Sequence, residues 1–264
     1  DRLAGYRLKA KGHISVETFY RFLILDLLKQ CPKVVYLDAD LILLRDPAEL
    51  YDLDLGDDLL AAAVDPDFSG QCNGANADTM HYCQEVLRLK YPYLYAQAGV
   101  LVINVRQLRQ KIRVSELLYM AESGSYRYSD QDILNVVCEG RIRRLDMAWN
   151  VLTVSQKRRM DAIQSAPAEV QEAYEQARKN PYIIHYAGSI KPWFDPNTDF
   201  AQEFWDTARK TPYYERLLAG IRTQERKAEF SEKVVGALRD TVKKVLPQGS
   251  RIRQAAGGRY WRMT

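Results

Sequence analysis

The chain has 264 residues, 47 % of them hydrophobic, which is enough for one large α/β domain or two small ones and too apolar for a disordered segment. Its net charge of +4 conceals an asymmetry, because residues 222–264 carry eleven Lys and Arg against four Asp and Glu, a local +7, and the body before them is about −3. A slightly acidic body excludes nucleic-acid binding by charge, and any attraction to anionic surfaces sits in the tail.

No run approaches the roughly 18 apolar residues of a membrane-spanning helix, and the opening DRLAGYRLKAKG lacks the apolar centre of a signal peptide. Cys31, Cys72, Cys83 and Cys138 form no C-x-x-C pair. These features predict an intracellular protein in a reducing compartment, with neither a disulfide framework nor a structural zinc site.

In chain order, residues 15–29 (SVETFYRFLILDLLK) place Phe19, Phe22, Leu23 and Leu27 at helical spacing behind Ser15 as an N-cap, and Pro32 ends the helix. Val34–Leu37 is apolar on both parities, the pattern of a strand buried on both faces of a parallel sheet. Residues 60–64, 99–104 and 182–186 are further strand candidates, with helical stretches near 46–53, 78–89, 106–122, 130–138 and 200–219. Alternation of this kind predicts an α/β fold. Residues 165–180 are polar and helix-prone and read as a surface helix or an excursion before the 182–186 strand. Residues 231–246 place Val235, Leu238, Val242 and Val245 on one face and Lys/Arg on the other, with Tyr260 and Trp261 near the end. That tail reads either as a membrane-surface anchor or as a terminal helix packed on its own domain with a solvated basic face.

Asp38 and Asp40 stand in VVYLDADLILL, directly after the first strand candidate. In open α/β sheets ligands bind at the carboxyl ends of strands. In an extended segment residues i and i+2 point to one side, so both carboxylates can face one cation, and hard oxygen ligands suit Mg²⁺ or Mn²⁺. The pair is also explained by one Asp capping the following turn and the other being solvated. A phosphatase of the haloacid dehalogenase type uses the same D-x-D placement, but Ile42 stands where that pattern has Thr or Val. His185 ends the 182–186 strand, where an imidazole either completes a metal site or is an ordinary structural histidine. Gly188 and Lys191 follow on a loop able to offer N–H groups and a point charge to a phosphate, though Lys191 is equally readable as a surface charge. Arg21, among apolar neighbours, needs a partner if buried, and Asp130 can serve as an N-cap.

Five segments, taken in order, resemble the motifs of family 8 retaining glycosyltransferases. They are HISVETFYRFLI (13–24, with Thr18-x-x-Arg21), VVYLDADLILLRD, YLYAQAGVLVINV (93–105), YSDQDILNVV (128–137) followed by MAWNVL, and IIHYAGSIKPW (183–193). The resemblance implies an α/β fold of GT-A type, a Rossmann-like mixed sheet flanked by helices over residues 1–221, with 222–264 as a basic amphipathic C-terminal helical extension. Family members carry opening strands with a uridine-holding Ala-Asp-Asp segment, which would precede residue 13 by roughly 60 residues. The expectation is therefore either a fragment that lacks the opening strands of the nucleotide-binding half or a chain in which another segment supplies that half of the pocket.

By the same resemblance Asp38, Asp40 and His185 hold Mn²⁺ or Mg²⁺, Gly188 and Lys191 hold the donor diphosphate, and Arg21 reaches diphosphate and sugar. Ala39 and Ala98 line the donor, Asp65 contacts sugar or acceptor, and Asp130 and Gln131 face the transferred sugar as the catalytic pair. Many members carry Asn where this chain has Gln97, so a contact from that amide to a sugar hydroxyl would shift in geometry. The implied activity moves glucose or galactose from a UDP-sugar to a glycan or lipid-linked acceptor in bacterial cell-surface polysaccharide or lipopolysaccharide synthesis. It takes no nucleic acid, and is expected in the cytoplasm with peripheral contact to the inner membrane face through the tail. Gln131 is a poor nucleophile, which favours a same-face ion-pair route over a covalent glycosyl intermediate. Two other readings stand beside it: a non-catalytic sugar-nucleotide or glycan-binding module, and a self-glucosylating primer permitted by the 17 tyrosines.

Overall fold

The structure is a computed structural model and describes residues 3, 5–8 and 15–223. His13 of the first motif and the amphipathic segment 231–246 lie outside the described residues. Residues 1–192 with 196–207 form one compact unit, and the remainder belongs to a second. Every site residue discussed below lies in the first. Among the described residues no helix is long and apolar enough to cross a membrane.

The strands are β1 (Val34–Leu37), β2 (Leu41–Leu43), β3 (Leu60–Ala62), β4 (Val100–Ile103), β5 (Ile142–Arg144), β6 (Val151–Leu152) and β7 (Ile183–His185). They make a mixed four-stranded sheet, β1-β4-β3-β5, and a three-stranded one, β2-β7-β6. β4 runs antiparallel to both β1 and β3, whereas β3 and β5 are parallel. β2 is antiparallel to β7, and β6 is parallel to it. The expectation of a parallel, doubly buried first strand fails, because β1 is half-buried along its length and antiparallel to β4. Four apolar residues do not encode the direction of a neighbour; the chain's return through β4 sets it. Strands β2, β5 and β6 are short, and Ile142-Arg143-Arg144 is too polar at an edge to be read as a strand from pattern.

The helices are α1 (Ile24–Leu27), α2 (Ala48–Asp52), α3 (Pro66–Gly70), α4 (Ala77–Tyr82), α5 (Val105–Lys111), α6 (Val114–Glu122), α7 (Asp130–Cys138), α8 (Lys157–Gln164), α9 (Ala168–Lys179) and α10 (Ala201–Ala208). Most of the first amphipathic stretch is a 3₁₀-helix, Val16–Leu23, and Ser15 makes no side-chain cap bond there. The stretch near 106–122 is two helices broken at extended Ile112, where Glu116 accepts the Arg113 N–H at 3.0 Å and starts α6 afresh. The stretch near 78–89 passes from α4 into a π-turn and stops at Arg88, whose φ is 55°. The helix near 200–219 is interrupted after Ala208.

One face of the four-stranded sheet buries Leu60, Leu101 and Ile103 against Phe19, Phe22, Leu117 and Ile133 from the flanking helices. The other face brings Ala61, Val100 and Val102 against Leu50, Trp149 and Ile183, which joins it to the second sheet. Each fully buried large apolar side chain contributes about 1.5–3 kcal/mol. The chain steps between the two packed sheets three times, from β1 to β2, from β2 to β3 and from β5 to β6, and the shortest of these steps is the segment 38–40.

Candidate functional site

β1 ends at Leu37 and β2 begins at Leu41, so Asp38-Ala39-Asp40 is the bend between the sheets. Both ends are pinned by backbone bonds: the Asp38 N–H donates to the Gly99 carbonyl at 2.8 Å, and the Tyr186 N–H donates to that of Asp40 at 3.0 Å. The β2–β7 register pairs Leu41 with His185, which sets the imidazole beside Asp40. His185 Nε2 is then 3.3 Å from Asp40 Oδ1 and 3.8 Å from Asp38 Oδ2. One ligand atom from each of the three residues lies within 4.8 Å of the others, the one such cluster among the described residues. Two carboxylate oxygens with one imidazole nitrogen suit Mn²⁺, and Mg²⁺ through the oxygens. The histidine is buried while both carboxylates keep about a quarter of their side-chain surface, 25 % and 22 %, in solvent. A cation held there would be reachable from the solvent side.

Cations of the protein back the cluster. Lys191 donates to Asp40 Oδ2 and, at 2.6 Å, to the Tyr186 carbonyl. Arg21, buried on the 3₁₀-helix, spans four partners: Nη2 to Asp38 Oδ1 at 3.0 Å, Nε to Asp130 Oδ2 at 2.9 Å and to the Thr18 carbonyl at 3.2 Å, and Nη1 to the Ala98 carbonyl at 2.6 Å. The Tyr36 ring lies under its guanidinium at 4.4 Å and the Tyr36 hydroxyl donates to Asp38 at 2.8 Å. Burial alone pushes the Asp40 carboxyl up, but His185, when its ring is protonated and Nε2–H faces Asp40, and Lys191 outweigh it and hold Asp40 well below the usual carboxylate range. Asp130 differs: burial dominates and raises it, although Arg21 and the Thr18 hydroxyl pull the other way. Its carboxylate serves Arg21 and Thr18 rather than a helix cap.

Ser129 turns the chain into α7 with φ 51° and ψ −117°, a sparsely populated backbone region. Gln131 follows on the helix: its Oε1 accepts the Ala98 N–H at 2.9 Å and its Nε2 donates to Asp65 Oδ2 at 3.1 Å. Asp65 in turn caps α3 through the Phe68 N–H at 3.0 Å. Burial, helped by neighbouring Asp67, pushes the Asp65 carboxyl up to about 6. Arg21, Asp38, Ala98, Asp130, Gln131 and Asp65 thus form one continuous polar chain through direct contacts.

Gln97 turns inward. Its Oε1 accepts the Gly99 N–H at 2.5 Å and Asn150 Nδ2 at 2.7 Å, and Asn150 Oδ1 lies 2.9 Å from His185 Nδ1. The oxygen expected near a sugar hydroxyl is therefore engaged inside the protein. Gly99 is a glycine for a steric reason, since a Cβ there would sit 2.2 Å from His185 Cε1. Gly188 has φ 103° on the loop after His185, where Arg159 donates to the Ala187 carbonyl at 2.6 Å and to Asp67 at 3.1 Å. Asn150, Tyr36, Gly99 and Arg159 carry no assignment from sequence reasoning. Asn150 stood inside the quoted MAWNVL and Tyr36 inside a strand read as plain core; nothing in the pattern marked either.

A profile of glycosyl transferase family 8 matches residues 6–197. The chain is similar to general stress protein A of Bacillus subtilis, with 26 % identity over 190 residues covering 69 % of this chain and 60 % of that one. It is also similar to the lipopolysaccharide 1,2-glucosyltransferase of Escherichia coli, with 27 % identity over 61 % of this chain and 44 % of that one. It spans no more than 60 % of the length of either relative. Among solved structures it resembles the WbbM bifunctional glycosyltransferase in its apo form, at 30 % identity and TM-score 0.72 over 80 % of this chain and 38 % of that one. The galactosyltransferase LgtC, solved with donor and acceptor sugar analogues, follows at 25 % identity and TM-score 0.58, over 80 % and 72 %. The helix-flanked mixed sheets have the GT-A architecture of these structures. With the family match covering well over half its length, the chain belongs to glycosyl transferase family 8.

Proposed function

We propose that the protein transfers a hexose, glucose or galactose, from a UDP-sugar to a hydroxyl of a glycan or lipid-linked acceptor with retention of anomeric configuration. The observation that carries this reading is the convergence of Asp38, Asp40 and His185 at the step between two sheets, with Lys191 and Arg21 behind them. Those three side chains would hold Mn²⁺ or Mg²⁺, and the cation, when bound, supplies positive charge against the departing diphosphate. Lys191 and the N–H groups of the Gly188 loop bind the phosphates, and Ala39 and Ala98 line the donor. Arg21 is aimed by Asp130, Asp38 and the Ala98 carbonyl, so its charge needs no rearrangement as the sugar–phosphate bond breaks. Gln131, fixed by the Ala98 N–H and Asp65, positions the sugar.

The carboxylates next to Gln131 support a same-face route. Asp130 is engaged by Arg21 and Thr18, and Asp65 by the Phe68 N–H and Gln131. A double displacement needs a carboxylate able to attack the anomeric carbon. In the same-face route the acceptor oxygen bonds to that carbon on the side the phosphate leaves, and its proton passes to the departing phosphate oxygen. One relative's name, a lipopolysaccharide glucosyltransferase, supports a cell-surface glycan as acceptor, and the site of action proposed with it is the cytoplasmic membrane face. The basic tail 222–264 would supply peripheral contact there, and its removal should weaken cosedimentation with anionic liposomes.

The test is a panel of UDP-sugars with Mn²⁺, reading UDP release and product anomer by NMR. Turnover of one hexose donor that disappears in Asp40→Ala supports the proposal. UDP binding with no donor turned over points instead to a non-catalytic module, and hexose increments in the intact mass to a self-glucosylating primer.

A further inference from the structure

We infer that Gln97 and Asn150 form a buried relay that keeps the His185 proton on Nδ1 and so turns the Nε2 lone pair toward Asp38 and Asp40, which makes Asn150 a positioning residue for the metal ligand. The first half of the inference concerns this chain alone; the second rests on the proposed metal site.

Amide orientations are interchangeable by shape, so the direction of the relay needs an anchor. Gly99 provides it, because a backbone N–H only donates. The Gln97 atom 2.5 Å from that N–H is therefore the carbonyl oxygen. The Asn150 atom 2.7 Å from the same oxygen must then be its NH₂ nitrogen, which leaves Asn150 Oδ1 facing His185 Nδ1 at 2.9 Å. An amide oxygen accepts only, so Nδ1 carries the hydrogen. Each link fixes the next.

Water does not compete for these groups. Gln97, Asn150 and His185 are 9 %, 3 % and 2 % exposed. The backbone holds them in place as well: Asn150 ends a 3₁₀-turn capped by Asp146, and the β6–β7 pairing sets Leu152 beside His185. Gly99 leaves the space the ring occupies, so one residue both admits the imidazole and orients the relay. Hydrogen bonds of this kind behind a ligating histidine fix tautomer and ring orientation, and their loss costs about 10–100-fold in metal affinity. Gln97 thus serves the histidine from behind rather than a sugar hydroxyl.

The experiment uses the full chain, ¹⁵N-labelled and metal-free, in long-range ¹H–¹⁵N correlation spectra at a pH where the ring is neutral. The chain has three histidines, and loss of one signal set in His185→Gln assigns the one of interest. The expected result is His185 with Nδ1 protonated and Nε2 bare. In Asn150→Ala and Gln97→Leu that signature gives way to a tautomer mixture, and the Mn²⁺ dissociation constant by EPR rises about 10–100-fold in Asn150→Ala. An Nε2–H tautomer in the unaltered chain overturns the relay, as does an unchanged signature in folded Asn150→Ala. Should Asn150→Ala not fold, the unaltered chain and Gln97→Leu decide. A chain that binds no Mn²⁺ yet shows the Nδ1–H tautomer keeps the relay and sinks the metal reading alone.

Discussion

Two groups of carboxylates lie a few side chains apart in this protein and are treated oppositely. Asp38 and Asp40, at the step between the sheets, remain partly open to solvent and have Arg21, Lys191 and His185 around them, and protonated His185 with Lys191 outweighs burial and holds the Asp40 carboxyl well below the usual carboxylate range. Asp65, Asp130 and Asp132, grouped around the start of α7, are buried, and burial raises all three against the donors that surround them. Asp132 accepts from the Tyr82 and Tyr95 hydroxyls at 2.7 and 2.6 Å and from the Tyr128 N–H, so its oxygens hold the loop and helix together. The difference separates a place built to hold negative charge ready for a cation from a frame that uses carboxylates as acceptors. Substitutions in the first group should affect metal and turnover; those in the second should affect folding and pH dependence.

The largest expected effect tests the first group. Asp40→Ala should lower turnover by about a thousand-fold or more, on the order of 4 kcal/mol, in a donor-hydrolysis assay. Its thermal midpoint should stay within about 4 °C of the unaltered chain; a collapse of the fold would erase the contrast. Arg21→Met tests the join between the groups, because it leaves Asp130 buried without its cation. Urea unfolding should show a loss of about 3–5 kcal/mol. Arg21→Lys should recover little, since one ammonium does not span Asp38, Asp130 and the Ala98 carbonyl together.

Asp65 sharpens the comparison through pH. Its carboxyl is raised to about 6 in the folded chain, by burial first and Asp67 second, from about 3.9 when unfolded. The folded state therefore holds this proton more tightly, and the associated stability is complete below about pH 4 and is lost as pH rises to about 6 and beyond. Two pKa units amount to about 3 kcal/mol. Asp65→Asn keeps the α3 cap and removes the titration, so unfolding free energies of the two proteins should diverge by up to that amount between pH 4 and 7, in favour of the variant at pH 7. Parallel curves would show that Asp65 titrates normally. The smallest effect belongs to Gly99→Ala, whose added methyl meets the His185 ring and should cost about 1–3 kcal/mol together with weaker Mn²⁺ binding in an EPR titration.

The local order of elements was legible because it depends on near neighbours. The apolar runs at 34–37, 60–64, 99–104 and 182–186 became strands, and Ala168–Lys179 a helix of which Tyr174 and Ala177 are buried, because periodicity alone tells a chain which side to bury. Helix continuity was less legible. Ile112 breaks one helix and Arg88 ends another through backbone choices that an average propensity does not resolve. Strand direction was misjudged at β1 for the same reason that it cannot be local: an antiparallel partner arrives more than sixty residues later.

The site divides along the same line. Residue order and chemistry alone drew attention to Asp38, Asp40, His185, Lys191 and Arg21, and motif resemblance joined them and added Gln131. Only the tertiary structure decided that the D-x-D is a bend between two sheets, that Asp130 pairs with Arg21, and that Gln97 faces inward to Asn150. The physical reason is range. Side-chain type and spacing act over a few residues and are written in the chain, whereas hydrogen-bond direction and burial belong to atoms brought together from residues 21, 38, 97, 130, 150 and 185 after the sheets have packed.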